Sequence, residues 1–150
     1  MIKNSLRAFV NRALEHKHIS SEDVKELRRD LLRDGLTCRE EADALIALDR
    51  VAVPANGSWA DFLVEAVVEF AVWTSRPTGY IDRETARWLV TTLSGRGGPT
   101  ATAARIAFEI VREAETVDET LIAFAMRGAK HRGQGKDHDL AFAAPERVAA

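Results

Sequence analysis

The stretch "SWADFLVEAVVEFAVW", residues 58–73, decides the fold. As a helix the stretch is apolar nearly all round, with Trp59, Phe62, Leu63, Val67, Phe70 and Trp73 as its large apolar residues. A helix that is apolar all round is either the centre of a bundle or a membrane span. This one is shorter than the ~20 apolar residues a bilayer needs, and Glu65 and Glu69 interrupt it at up to about 2.5–3.5 kcal/mol each. It therefore reads as the central helix of a bundle, with no membrane insertion.

Outward from this helix, apolar residues recur at helical spacing in both directions. Before it come Leu6, Phe9 and Ala13, then Val24, Leu27 and Leu31, then Ala42, Leu45 and Ile46. After it come Ala86, Leu89 and Leu93, then Ala103, Ile106, Ala107 and Ile110, then Leu121, Ile122 and Ala125. No run alternates with period two for long enough to propose a strand, so the fold class is all-α. Helices are expected near 2–16, 20–33, 38–50, 58–75, 82–94, 100–115 and 118–128. Ser20 with Asp23, Thr37 with Glu40 and Ser58 with Asp61 have capping-box spacing, and Asp82 and Asp118 stand as single caps.

An internal echo runs at an offset of 62 residues: Ile19, Glu22, Leu27, Leu31 and Gly35 superpose on Ile81, Glu84, Leu89, Leu93 and Gly97. The expected architecture is thus about seven helices in one domain over 1–128, with duplicated helix–turn–helix units around the central apolar helix. Residues 129–150 turn rich in glycine and mixed charge and read as a flexible or docked C-terminal tail, with Leu140 and Phe142 as its apolar patch.

Composition narrows the function classes. The 150 residues are 46% apolar and 29% charged with a net charge of −2, which gives no global attraction to nucleic acid or anionic membrane. The tail bases Arg127, Lys130, Arg132 and Lys136 are diluted by Asp137 and Asp139, with no aromatic residue interleaved for base stacking. The N-terminus has no continuous apolar run of the secretory kind. One cysteine excludes an intrachain disulfide and suits a reducing, cytoplasmic location.

The most suggestive chemistry lies on the central helix. Asp61, Glu65 and Glu69 recur every fourth residue and share one face. Facing solvent, they are a polar stripe or pair with arginines such as Arg76, Arg87 or Arg105. Covered by neighbours, their repulsion and desolvation would demand a hard cation, Ca²⁺ or Mg²⁺. A second candidate is "DLLRDGLTCREEADAL", 30–45, which puts Asp30, Asp34, Gly35 and Glu41 at positions 1, 5, 6 and 12 of a calcium loop. Position 3 is Leu32, without a side-chain oxygen, so the stretch also reads as a glycine-capped turn between two helices. His16 and His18 lack a close ligand partner, and Cys38 lacks a base, so no catalytic residue is nominated.

"DGLTCREEADAL" at 34–45 and, more loosely, "TGYIDRETARWL" at 78–89 resemble the helix starts of the TerB-like domain. That family is known from tellurite-resistance proteins and from the N-terminal region of a membrane-anchored DnaJ co-chaperone. The resemblance covers about residues 18–126. It implies an all-helical, duplicated fold and acidic residues suited to a divalent cation, which match here at Asp34, Glu40 and Glu41, with Glu84 in the second unit. Thr78 and "GRGGPTATAAR" depart from that acidic pattern.

Together these features lead us to expect a small non-enzymatic module acting as a protein-interaction or stress-associated scaffold, with Asp61, Glu65, Glu69, Asp34, Glu40 and Glu41 as candidate ligands of Ca²⁺ or Mg²⁺. Its partner would be another protein or a second copy. The alternatives are a carboxylate- or Mg²⁺-dependent enzyme of the helical-bundle type and a homodimeric regulator that uses the tail.

Overall fold

Seven helices appear in the computed structural model, which describes residues 2–128. They are α1 (Asn4–His16), α2 (Ser21–Glu26, continued by a π-helical turn at Leu27–Leu31), α3 (Arg39–Val51), α4 (Ser58–Val68, continued by a π-helical turn at Glu69–Thr74), α5 (Arg83–Ser94), α6 (Ala101–Glu113) and α7 (119–128). The expectations for the tail, including Leu140 and Phe142, lie outside the described residues.

Apolar periodicity explains why these segments are helical, and the caps explain where they start. Ser20 accepts from the Asp23 amide at 3.1 Å while Asp23 accepts from the Ser20 amide at 2.9 Å, the full capping box. Asp82 accepts from the Thr85 amide, and Thr100 from the Ala103 amide. Two expected boxes do not form. Cys38, not Thr37, is the N-cap of α3, and it is Glu41 rather than Glu40 that reaches back, accepting from the Thr37 amide at 2.8 Å. Gly57 is the N-cap of α4, and Asn56 accepts from the Ser58 amide at 2.9 Å. At α3 the acceptor lies one residue after the expected one, and at α4 two residues before it, where the chain enters the helix from Gly57 in a helical rather than an extended conformation.

The expectation of no strands is corrected by four two-residue strands, too short to show a period in sequence. β1 (His18–Ile19) pairs parallel with β2 (Val53–Pro54), and β3 (Tyr80–Ile81) pairs parallel with β4 (Thr116–Val117). These pairs make the duplication visible. Lys17 and Gly79, 62 residues apart, both sit at positive φ, and their carbonyls accept from Val53 and Thr116. Ile19 and Ile81 follow, both buried, and then the caps Ser20 and Asp82. Each unit therefore closes by returning its end to its beginning.

The core is one continuous cluster. Trp59, Leu63 and Val67 of α4 are buried against α6, α2 and α3, as a central helix requires. Trp73 departs from that pattern: it is 39% exposed, and its indole nitrogen donates to Glu113 at 2.6 Å. Polar ties from α3 cross between the units. Asp49 accepts from the Trp59 indole at 2.9 Å and the Thr100 hydroxyl at 2.8 Å, Asp43 accepts from the Trp88 indole at 2.8 Å, and Arg50 donates to Leu93 O at 2.7 Å and Gly98 O at 3.0 Å.

Candidate functional site

The four-residue spacing of Asp61, Glu65 and Glu69 places them in one row along the outer side of α4, opposite the buried Leu63 and Val67. All three are exposed, so neither desolvation nor mutual repulsion calls for a cation there. Asp61 meets Arg105 at 2.9 Å, an arginine the sequence suggested, and Glu65 meets Arg28 at 2.7 Å, which it did not. Such exposed pairs contribute about 0–1 kcal/mol each and orient the side chains more than they stabilise the fold.

This row forms one wall of an open groove of about 480 Å³ between α4 and α6. The opposite wall carries Arg105, Glu109, Arg112 and Glu113, and Val64 and Val68 lie between. Arg112 is held against Glu109 at 2.7 Å. The groove therefore has an apolar strip bordered by five carboxylates and two arginines. Glu109, Arg112 and Glu113 were missed in sequence. Their signal was the same four-residue polar spacing, Arg105–Glu109–Glu113, on a helix that must pack beside α4.

A second, mixed groove of about 270 Å³ runs along the other side of the same row, between α4 and the end of α2. There Arg28 lies 5.2 Å from the centre of the Phe62 ring while it pairs with Glu65. Both π-helical turns border this groove, through Arg28 and Glu69.

The candidates of the calcium-like loop separate. Asp34 and Glu40 are exposed, while Glu41 is fully buried. Glu41 Oε1 accepts from both the amide and the hydroxyl of Thr37, and Oε2 is buried with no hydrogen-bond partner. Glu40 is held below the usual carboxylate range by its own backbone amide and by Cys38. Asp34, Glu40 and Glu41 thus point to different surroundings. Among the described residues no group of three or more His, Cys, Asp or Glu side chains is placed to hold a metal ion.

In the second unit, Glu84 binds Arg39 through both oxygens, at 2.6 and 2.9 Å, and this bidentate pair holds the Glu84 carboxyl below its usual range. The Arg39 guanidinium also covers the Trp88 ring at 4.9 Å. Glu84 is therefore engaged in joining α3 to α5.

No family model, curated protein or solved structure matches this chain. Among the described residues, no helix is long and apolar enough to cross a membrane.

Proposed function

We propose that this chain is a non-catalytic helical interaction module of TerB-like type, and that the groove between α4 and α6 receives a basic segment of a protein partner. The observation that carries this reading is the composition of the groove: a valine floor edged by exposed carboxylates that outnumber the arginines beside them. An apolar strip buries a side chain, and the charged rim sets which partners approach and in what register. The pairing of Asp61 with Arg105 and of Glu65 with Arg28 supports a basic protein segment as the occupant, because the row already accepts guanidinium groups.

The test uses a penta-arginine peptide followed by amide chemical shifts. Shifts centred on Val64, Val68, Arg105 and Glu109, weakened at least threefold in the Glu69→Gln/Glu113→Gln variant, are the expected result. Shifts scattered elsewhere, or none at 1 mM peptide (about −4 kcal/mol of binding), would overturn it. Thermal unfolding with excess Ca²⁺ or Mg²⁺ serves as the companion measurement. A rise of about 5–10 °C, lost in Asp61→Asn/Glu65→Gln, would move the assignment to a cation site.

A further inference from the structure

Resting on that reading of the acidic row, we infer that one partner is a second copy of this chain, whose α4 row docks head to tail on the outer face of α5.

The α5 face is a shallow groove of about 450 Å³ lined by Arg83, Glu84, Arg87, Trp88 and Thr91. Glu84 is taken up by Arg39, so the charge left to the face comes from Arg83 and Arg87. Both lie near enough to Asp118 to help lower its pKa, after the Thr120 amide and hydroxyl that bond it. Neither arginine has an ion-pair partner within 4.0 Å among the described residues. Trp88 supplies the apolar body. It is half-buried, with Phe70 against its edge at 6.1 Å and its nitrogen fixed by Asp43.

Charge and spacing both fit the α4 row: Glu65 bonds Arg28 through Oε1 alone, which leaves Oε2 for a second donor, and Glu69 has no ion-pair partner within 4.0 Å among the described residues. Arg83 and Arg87 are one i,i+4 step apart, about 6 Å along the helix, and so are Glu65 and Glu69. Two helices laid side by side can thus bring two arginines against two carboxylates in register. The two faces share no residue, so one copy can present both at once. Such a contact is heterologous, and it extends into a chain or closes into a ring. Its small, charged surfaces suit a weak, salt-sensitive association.

The experiment is sedimentation of the full chain over a hundredfold concentration range in low and high salt. Weight-average mass should rise above 16.6 kDa at millimolar protein in low salt and return to it at 0.5 M salt. Arg83→Glu/Arg87→Glu and Glu65→Arg/Glu69→Arg should each lower the association constant at least tenfold. An equimolar mixture of the two should regain it, since every junction between them is again complementary. Circular dichroism checks that each variant folds, and Arg83→Gln/Arg87→Gln replaces the first if it does not; its neutral α5 face then restores only one kind of junction, so the mixture should stop at a heterodimer. A monomer at every concentration, or a mixture that stays monomeric, overturns the inference. If penta-arginine still binds the α4–α6 groove in that case, the proposed function stands without it.

Discussion

Gly95 sits at φ +57° and ψ −163°, a conformation essentially confined to glycine, and a Cβ built there would meet the Arg50 guanidinium. Arg50 comes from α3 and satisfies the last carbonyls of α5, so the glycine leaves room for a cap contributed by the other unit. Gly95→Ala should cost about 1–3 kcal/mol in strain alone, lowering the melting temperature by several degrees. Arg50→Ala removes the obstacle. The double variant should therefore lose less than the sum of the two single losses, a non-additivity that a thermal double-mutant cycle measures directly. Strict additivity would mean that glycine is needed for φ alone. The internal echo pointed to Gly97 here, whereas the glycine at positive φ against Arg50 is Gly95, since the long-range arginine is invisible to local pattern. Glu41 is the converse case. Its position one residue beyond the expected capping glutamate was plain, but its complete burial depends on how α3 packs.

Caps and charge pairs at the start of α5 give the fold a directional response to acid. Asp82 is held below its ordinary range by the Thr85 amide and then by the Thr85 hydroxyl, and Glu84 by its bond to Arg39. Their folded-state pKa values are depressed, so the stabilisation they contribute is complete above the unfolded values, near pH 4. It is lost as pH falls through the lower folded values. Asp82→Asn keeps an equally good cap that does not titrate. Between about pH 4.5 and 2.5 this variant should lose less thermal stability than the parent, while differing little from it at pH 7; parallel curves would remove Asp82 as a source of the acid response. Helices were legible because apolar periodicity repeats over several turns, and Asp82 was legible because its cap is local. The four strands were not, since two residues carry no period and their pairing joins segments about 35 residues apart. The π-helical turns at Leu27–Leu31 and Glu69–Thr74 likewise left no local mark.

The duplication poses a question for the molecule as a whole: whether the two units open separately or together. The offset of 62 was readable because buried Ile19 and Ile81 and the helix starts after them face the same local demands in each copy. How the copies share one core was not readable, because the central α4 packs both on α6 of the second unit and on α2 and α3 of the first. One hydrophobic cluster runs from Leu6 and Phe9 through Leu63 to Ile110, which favours a single cooperative transition over two. The polar ties from α3 then add stability to the whole rather than hinging one unit to the other. Asp49→Ala strands the indole of Trp59, itself only 1% exposed, together with the Thr100 hydroxyl. At about 1.5–3 kcal/mol for bonds to a charged acceptor, slow amide exchange should speed up by roughly ten- to a hundredfold. The acceleration should be the same at Phe9 and Ile46 in the first unit as at Ile106 and Ile110 in the second, because each exchanges only when the shared core opens. Acceleration confined to α5 and α6 would instead make the units separate cooperative blocks, with Asp49 as the joint between them.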